Sequence, residues 1–303
     1  MKILVTGGAG FIGSHLVDSY IAAGHNVVVV DNLSTGSKKN LNLKAKFYKT
    51  DIQNHTKIDA IFQRERPHII NHHAALIEVT KSFRDPIATF NVNVTGTVNI
   101  LLASGKYNIK KFIFSSTGGA IYGNPVKIPA DENTKPSPLS PYGLSKHLSE
   151  LCIKYYADLY GFEYCILRYP NVYGPRQNFG GEAGVVAIFS NLMKRNIAPI
   201  IFGDGTKTRD YVYVGDIARA NLLALRRGRN ETMNLGRGKE ISDQEVFDTI
   251  AKHTDFNGKP KYAPFREGEV RKISITNGKA KKVLGWKPEV EFKEGVRKTI
   301  ETI

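Results

Sequence analysis

The chain has 303 residues, of which 41% are apolar and 10% aromatic, enough to form one large globular domain or two and to exclude an intrinsically disordered chain. Its 43 Lys+Arg against 28 Asp+Glu give a formal net charge of +15, which suits a polyanionic partner, either a nucleic acid or a phosphate-bearing small molecule. The lysines are scattered and lack the interleaved aromatic residues of a single-strand binder, so a generally cationic surface is favoured over a nucleic-acid site.

Targeting and redox features point to the cell interior. No uninterrupted apolar run reaches membrane length, and "MKILVTGGAGFIG" breaks into glycines too early for a signal peptide. Cys152 and Cys165 stand in apolar surroundings without His or Cys neighbours at zinc-ligand spacing. The sequence therefore predicts a soluble, cytoplasmic protein with two core thiols, no membrane contact and no metal site.

Short apolar runs alternate with amphipathic helical patterns in the first half of the chain. The predicted elements are, in order, strand KILVTG, helix FIGSHLVDSYIAAG, strands NVVVVD and AKFYKTD, helix IDAIFQRERP, strand HIINHHA, helix Asn91–Ser104, strand KKFIFSS, helix Tyr142–Tyr160 ending at Gly161, and strand EYCILRY. This alternation is typical of βαβ units with a parallel sheet buried on both faces. It predicts an α/β fold with a doubly wound parallel sheet.

The alternation of predicted strands and helices ends after Asn171, where Gly/Pro-rich loops follow. Helices are still predicted at VVAIFSNLMKR and DIARANLLALRR, and the C-terminal segment NGKAKKVLGWKPEVEFKEGVRKTIETI is predicted to end in a surface helix. We predict a first, NAD-binding domain at 1–170, to which a segment around 209–228 returns. Most of 171–303 is predicted to form a smaller C-terminal α/β substrate lobe.

A glycine-rich loop, VTGGAGFIGSHL, follows the first strand and opens the first helix. Gly7, Gly10 and Gly13 permit a tight turn, close approach of the backbone to a pyrophosphate and close helix packing, while the helix N-terminus offers free N–H groups. Asp31 in VVVVDN follows at the distance where an acid reaches the adenosine ribose. Because a carboxylate there repels a 2′-phosphate, the sequence predicts NAD rather than NADP on a Rossmann-type sheet.

The segment SPYGLSK places Tyr142 and Lys146 four residues apart at the start of a predicted helix, so both side chains lie on one face. A neighbouring ammonium favours the phenolate and is expected to lower the pKa of Tyr142. On spacing alone, a surface cation beside a half-buried aromatic side chain remains the alternative.

The glycine loop together with TDI, HHAA, NVTGT, SSTGGAIYG and YGLSK resembles the extended short-chain dehydrogenase/reductase family. RYPNVYGPRQ, GDGTKTRDYVYVGD and REGEVRK are similar to its nucleotide-sugar branch, and the likeness extends over nearly the whole chain. The resemblance implies a 4-epimerase that interconverts UDP-glucose and UDP-galactose through a transient 4-keto sugar on bound NAD. It also implies a homodimer formed through the helices Asn91–Ser104 and Tyr142–Tyr160.

The same resemblance implies the residues of the site. The catalytic group is Thr117, Tyr142 and Lys146, with Ser116 as the alternative hydroxyl. The cofactor-binding residues are Gly7, Gly10, Phe11, Ile12, Gly13, Asp31, Asn32, Ser34, Asp51, Ile52, Ala74, Ala75, Asn93, Tyr142 and Lys146. The substrate-binding residues are Thr117, Asn171, Arg209, Arg266 and Glu269. His73 stands where Leu or Phe is commoner, and we interpret it as a packed, hydrogen-bonded histidine, not a catalytic base.

Alternatives of chemistry and substrate stay open at this point. Dehydratases and decarboxylases of the family need an additional acid or base beside the hydroxyl position, where this chain has Gly118, Gly119 and Ala120, so epimerisation is favoured. By the same resemblance, Ile273 aligns with the pocket wall that admits or refuses an acetamido group, so UDP-N-acetylglucosamine is an alternative substrate. NVYGPRQ is also shared by relatives that act on uronic acids, so UDP-glucuronate is another. A non-catalytic, RNA-binding member of the family is a third possibility, motivated by the net charge.

Overall fold

The computed structural model describes residues 1–180, 184–266 and 269–303. Glu267 and Gly268 of the REGEVRK motif lie outside the described residues, as do residues 181–183 of the loop that follows RYPNVYG. In chain order the strands are β1 (Lys2–Thr6), β2 (Asn26–Asp31), β3 (Lys46–Lys49), β4 (Ile69–His72), β5 (Lys111–Thr117), β6 (Glu163–Tyr169), β7 (Asn171–Tyr173), β8 (Ile200–Phe202), β9 (Thr208–Arg209), β10 (Tyr211–Tyr213), β11 (Glu231–Asn234), β12 (Ile241–Ser242) and β13 (Lys261–Ala263).

Helices alternate with these strands along the chain. They are α1 (Phe11–Ala22), α2 (His55–Glu65), α3 (Val79–Arg84), α4 (Pro86–Phe90), α5 (Gly96–Lys106), α6 (Pro141–Tyr160), α7 (Val185–Lys194), α8 (Val214–Ala224), α9 (Asp243–Thr254), α10 (Gly278–Leu284) and α11 (Phe292–Ile300). A short 3-10 turn, Lys38–Asn40, lies between β2 and β3.

A seven-stranded parallel sheet is the centre of the described chain, with the strand order β11-β6-β5-β4-β1-β2-β3. Each neighbouring pair in it is parallel, and β1 pairs with β2 on one side and β4 on the other. The direction of winding reverses between β1 and β4, and crevices that bind ligands in open α/β sheets lie at such a point. The predicted Rossmann-type doubly wound sheet is confirmed.

Separate apolar clusters cover the two faces of this sheet. Val5 and Val29 lie in one cluster with residues of α1, α8 and α10 and the fully buried Trp286. Leu4 and Val28 lie in the other with residues of α2, α5 and α6. Because successive strand residues point to opposite faces, a strand buried on both sides is a continuous apolar run such as NVVVVD rather than an alternating one.

The helix predicted over Asn91–Ser104 begins earlier, at a cap made by Asp85, whose Oδ1 accepts the backbone N–H of Ala88 at 2.9 Å. A π-helical turn, Asn91–Thr95, joins α4 to α5. The whole run Pro86–Lys106 has the length and the mean hydropathy, 1.2, of a membrane span. Its α5 part packs in the apolar cluster shared with α2 and α6, as a helix of a protein core does.

Specific capping residues define both ends of helix α6. The hydroxyl of Ser140 accepts the backbone N–H of Gly143 at 3.1 Å, and Pro141 occupies the first helical position. Gly161 ends the helix with φ +76°, a left-handed conformation that glycine adopts without a Cβ penalty. The predicted helix therefore agrees with α6 to within one residue, and its first two turns carry the predicted catalytic pair.

The smaller lobe contains short two-stranded sheets, β7 with β10, β8 with β13 and β9 with β12. Residues of α7, α9 and α11 pack in an apolar cluster of their own there. The chain returns to the central sheet with β11, which pairs with β6 and lies beyond the segment 209–228. The division near residue 170 stays a prediction, while the sheet itself draws on both parts of the chain.

Candidate active site

The glycine loop lies between β1 and α1 and is pressed against the end of β4. Gly7 has φ +69°, and a Cβ on it would lie 2.8 Å from the backbone nitrogen of Ala74. A Cβ on Gly13 would lie 2.2 Å from the carbonyl oxygen of Gly7, and one on Gly10 would lie 3.2 Å from the same oxygen. Only glycine fits at positions 7 and 13 without displacement of the backbone. The loop therefore leaves the N-terminus of α1 accessible to a ligand.

Asp31 ends β2 with a side chain that is 7% exposed. Its Oδ2 accepts the backbone N–H of Ala9 at 3.0 Å, and its Oδ1 accepts that of Leu33 at 2.7 Å. The carboxylate is thus fastened to the glycine loop, and each oxygen keeps acceptor capacity for a hydroxyl group.

The other residues predicted around the adenosine gather beside Asp31. Asn32 donates from Nδ2 to Asp51 Oδ2 at 2.8 Å and accepts the backbone N–H of Ser34 at 2.9 Å. Ile52 is buried in the apolar cluster under α5, where a Cβ on Gly96 would lie 2.6 Å from its Cδ1. Its side chain belongs to the core, so only its backbone is placed to frame a ligand.

Asn93 and Ala74 hold the opposite wall in place. Asn93 is 2% exposed; its Nδ2 donates to Leu76 O and to Ser145 Oγ, each at 2.9 Å, and its Oδ1 accepts Leu76 N at 2.8 Å. Ala74 donates its backbone N–H to Thr6 Oγ1 at 3.1 Å. Asn93 therefore fastens the loop after β4 to α6, which is a positioning role.

A cavity of about 610 Å³ connects this loop with the smaller lobe. Ten of the predicted site residues line it: Phe11, Ile12, Ala75, Thr117, Tyr142, Lys146, Asn171, Arg209, Arg266 and Glu269. Phe11 and Ile12 begin α1, Ala75 follows β4, Thr117 ends β5, and Tyr142 and Lys146 lie on α6; the other four lie in β7, in β9 and after β13. Residues far apart in sequence thus form one continuous wall.

Thr117, Tyr142 and Lys146 meet in the middle of this cavity. The hydroxyl of Thr117 lies close enough to the phenol of Tyr142 to influence its pKa, and it accepts the backbone N–H of Ala120 at 3.2 Å. The ammonium of Lys146 lies 4.2 Å from the centre of the Phe114 ring, and its side chain is largely buried. Among the described residues no acceptor lies within hydrogen-bond distance of Lys146 Nζ, so this cation is available to a group in the cavity.

The prediction that Lys146 lowers the pKa of Tyr142 is wrong for the chain by itself. Burial raises the pKa of the Tyr142 phenol to about 12, and the neighbouring Thr117 hydroxyl offsets only part of that rise. Burial also lowers the pKa of Lys146 to about 7, against which the Glu150 carboxylate acts. Desolvation dominates the pKa of Tyr142, and a cation beside the phenol would favour the phenolate.

Ser116, the alternative hydroxyl, is already engaged. Its Oγ donates to Glu150 Oε1 at 2.5 Å, and Glu150 in turn accepts Arg168 Nε at 2.9 Å and Nη2 at 2.6 Å. Glu150 and Arg168 are both buried. Thr117, which lies beside Tyr142 and lines the cavity, is therefore the hydroxyl suited to act on a substrate.

His73 lies on the cavity wall, with Nε2 at 3.1 Å from the hydroxyl of Tyr169. Burial, with a smaller effect from Lys146, lowers the pKa of His73 to about 3, so the ring is neutral at physiological pH. Its Nδ1 is buried without a hydrogen-bond partner in the described part of the chain. These contacts agree with a packed, hydrogen-bonded histidine.

The end of the cavity in the smaller lobe is rich in charge. Arg209 donates from Nη1 to Thr208 O at 2.8 Å, and the guanidinium of Arg266 lies 3.6 Å from the centre of the Phe202 ring. Two charged residues that sequence reasoning missed, Lys207 and Asp243, line the same region. One feature of the sequence could have indicated Lys207. It stands two residues before Arg209, so both side chains lie on the same side of an extended segment.

Ile273, expected on the sugar-facing wall, is 2% exposed in a small apolar cluster with Ile121, Tyr122, Ala130, Val270 and Ile275. Within the described residues it is not part of the cavity lining. Its side chain therefore does not select the sugar by direct contact in this arrangement.

The residues present fit a dinucleotide. The glycine loop would be blocked by any Cβ at Gly7 or Gly13, the Lys146 cation faces the cavity, and His73 keeps a buried orphaned nitrogen there. A doubly wound sheet with this loop and with a Thr, Tyr and Lys group in one cavity defines the class of extended short-chain dehydrogenases/reductases. The chain belongs to the NAD dependent epimerase/dehydratase family, whose family model matches residues 3–236.

Individual relatives span the whole chain. A putative UDP-glucose 4-epimerase of Methanocaldococcus jannaschii is 51% identical over 98% of this chain and 97% of its own length. The crystal structure of a UDP-glucose 4-epimerase from Thermotoga maritima with UDP-glucose is 48% identical, with a TM-score of 0.98, and covers 100% of this chain and 98% of that one. A Thermus thermophilus UDP-glucose 4-epimerase in complex with NAD is 40% identical over 100% and 98%, with a TM-score of 0.95.

Proposed function

We propose that this protein is an NAD-dependent UDP-glucose 4-epimerase, an isomerase that interconverts UDP-glucose and UDP-galactose. The observation that carries the proposal is that one cavity joins the N-terminus of α1, the Thr117–Tyr142–Lys146 group and the charged end of the smaller lobe. A dinucleotide at one end and a sugar nucleotide at the other would meet at Tyr142. The relatives named above act on or bind these molecules.

The chain's own residues supply a place for each part of NAD. The glycine loop and the N–H groups of Phe11 and Ile12 suit the pyrophosphate, and Asp31 with Asn32 and Ser34 suits the adenosine ribose. A carboxylate at Asp31 disfavours a 2′-phosphate, which supports NAD over NADP. Lys146, which lacks an acceptor among the described residues, is placed to bond the nicotinamide ribose.

When bound, NAD supplies a reversible hydride acceptor for C4 of the sugar. Tyr142 takes the proton of the 4-hydroxyl as C4 is oxidised and returns it to the ketone oxygen as C4 is reduced. Thr117, beside Tyr142, donates a hydrogen bond to the same reacting oxygen. Inversion follows if the 4-keto sugar presents its other face between the two transfers.

That cycle needs a firm hold on the nucleotide and a loose one on the sugar. Arg209 and Arg266 suit the diphosphate because a planar guanidinium can form two parallel hydrogen bonds with it. Asn171 and Glu269 line the same cavity, and we assign Glu269 to the hydroxyls of the uridine ribose. Arg266 is held by the Phe202 ring, which keeps its guanidinium in place without neutralising it.

Dehydration and decarboxylation would need an additional acid or base beside Thr117, and positions 118–120 do not supply one. A Cβ on Gly118 would lie 2.3 Å from Ile275 Cδ1, so no larger side chain fits there without displacement of that isoleucine. The atom nearest to a Cβ added at Gly119 is Asn171 Oδ1, at 3.4 Å. Ala120 has no ionisable side chain. A second acid or base for dehydration is therefore missing at these positions, and simple epimerisation is favoured.

The test is to denature the purified protein, quantify released NAD and NADP, and assay interconversion of UDP-glucose and UDP-galactose without added reductant. We expect NAD, little NADP, and activity in both directions. A panel with UDP-N-acetylglucosamine and UDP-glucuronate as competitors decides the sugar, and faster turnover of either one overturns the choice of UDP-glucose. Salt-sensitive RNA binding without epimerase activity would instead support a non-catalytic family member.

We also infer a homodimer, because α6 exposes a stripe of apolar side chains that a partner would cover. Leu151, Tyr155 and Leu159 are 49%, 63% and 57% exposed at helical spacing, and Ile87 on the neighbouring α4 is 73% exposed. A second copy of the chain is the occupant implied by the family resemblance. The two unpaired cysteines agree with a reducing, cytoplasmic location, which we also infer.

A double variant with Tyr155→Arg and Leu159→Arg is expected to convert the dimer to a monomer, since it places two cations on each side of the contact. Light scattering after gel filtration measures the mass directly. Leu43→Arg, at a residue 102% exposed far from α6 in sequence, is the matched control and should stay dimeric. A monomeric parent protein, or an unchanged mass in the double variant, would show that this stripe is not the interface.

A further inference from the structure

Lys207 is a cation held between two carboxylates on the cavity wall. Its Nζ lies 2.9 Å from Glu269 Oε2 and 3.2 Å from Asp243 Oδ2. The three side chains are 10%, 18% and 7% exposed, respectively, and all three line the cavity. Lys207 precedes β9, Asp243 begins α9, and Glu269 lies beyond β13, so the cluster joins three separate parts of the smaller lobe.

This burial distinguishes the cluster from an ordinary surface ion pair. The Arg297–Glu294 pair, for comparison, has side chains that are 46% and 43% exposed, so water competes for each partner. At Lys207 the partners are largely removed from water, and the interaction fixes where the Glu269 carboxylate points. Asp243 provides a second anchor, so Lys207 stays in place when Glu269 engages another group.

The hydrogen bonds leave one side of Glu269 available. Its Oε2 accepts from Lys207 Nζ, whereas its Oε1 accepts no hydrogen bond from the described residues. Since Glu269 lines the cavity, this free oxygen is suited to accept hydroxyl groups from a bound molecule. An ionised carboxylate forms stronger hydrogen bonds than a neutral acceptor, and a hydroxyl missing from the ligand leaves it unpaired.

We propose that Lys207 is a positioning residue that holds Glu269 for the ribose hydroxyls of the sugar nucleotide and thereby selects ribonucleotide over 2′-deoxyribonucleotide substrates. The inference rests on the proposed function, because it takes the ribose of a UDP-sugar as the group that Glu269 meets. Lys207 itself touches neither the reacting carbon nor the cofactor site. It acts on binding, so it should affect KM and the choice of nucleotide while kcat stays nearly constant.

The experiment compares kcat/KM for UDP-galactose and 2′-deoxy-UDP-galactose across matched variants. We expect the parent protein to prefer the ribonucleotide by about 10- to 100-fold, the range of one hydrogen bond to a charged group. Lys207→Met should reduce that preference to about threefold or less, by raising KM for UDP-galactose at nearly constant kcat. Lys207→Arg restores a cation and should recover most of the preference.

Two further variants separate this inference from the proposed function. Asp243→Asn keeps an oxygen that can accept from Lys207, so the second anchor and the ribonucleotide preference should be retained. Bound NAD and thermal stability, measured in each variant, confirm folding. If Glu269→Gln retains the preference, the assignment of Glu269 to the ribose is wrong, and the proposed role of Lys207 is wrong as well. If Glu269→Gln loses the preference but Lys207→Met retains it, the Lys207 inference alone is wrong.

Discussion

Replacing Tyr142 with phenylalanine is expected to lower kcat by about 10²- to 10⁴-fold, the usual contribution of a positioned acid or base. The phenol lies beside Thr117 in the lining of the cavity. The substitution removes one oxygen and leaves the ring, so packing on α6 and the cofactor-binding loop are preserved. The bound NAD released on denaturation should therefore remain at the parent level.

The matched control is Tyr160→Phe, which removes a phenol oxygen from the last residue of the same helix. That side chain stacks on Tyr156 and is 40% exposed, outside the cavity lining of the described residues. Turnover should be close to that of the parent protein. Full activity in Tyr142→Phe would overturn the assignment of the proton carrier, whereas loss of bound NAD would show a structural effect instead.

Replacing Glu150 with glutamine is expected to lower the free energy of unfolding by about 3–5 kcal/mol, the cost of breaking a buried ion pair from one side. Both side chains of the Glu150–Arg168 pair are nearly inaccessible, at 1% and 6% exposure. Two hydrogen bonds join them, and Ser116 adds a third to the same carboxylate. The variant would leave a guanidinium inside the protein without an anion, which is expensive because water cannot replace the lost partner.

Urea unfolding monitored by tryptophan fluorescence measures this loss, since Trp286 is fully buried in the native protein. Glu294→Gln, in an exposed ion pair on α11, is the control and should change stability little. The double variant Glu150→Leu with Arg168→Met should recover most of the lost stability, because it removes both charges together. A loss in Glu150→Gln no larger than in the control would contradict the argument.

The fold could be predicted well because its signals are local. The run NVVVVD predicted β2 at its observed bounds, since burial on both faces of a parallel sheet selects an unbroken apolar strand. Helix α6 was predicted to within one residue because Ser140 and Gly161 act on the chain beside them. The helix at Asn91–Ser104 was less well bounded, since its true start depends on the Asp85 cap and its course includes a π-helical turn.

The site was predicted in part, and its missing pieces are all long-range. The Lys207–Glu269 contact joins residues 62 positions apart, and no local pattern pairs them. The direction of the Tyr142 pKa was wrong for the chain by itself because spacing shows the neighbouring Lys146 but does not show how deeply the phenol is buried. Ile273 was expected on the cavity wall and is not part of the lining, because its exposure depends on the apolar cluster that surrounds it.

The sequence by itself determined the parallel sheet, the glycine loop with Asp31 and the helix that presents Tyr142 and Lys146 together. The strands, the turn and the helix that build them each depend on neighbours within a few positions, where backbone periodicity and steric limits act directly. The tertiary structure decided which hydroxyl meets Tyr142, which carboxylate Lys207 holds and what each charge costs. Those outcomes depend on desolvation and on contacts between distant segments, and both arise only when the chain is packed around one cavity.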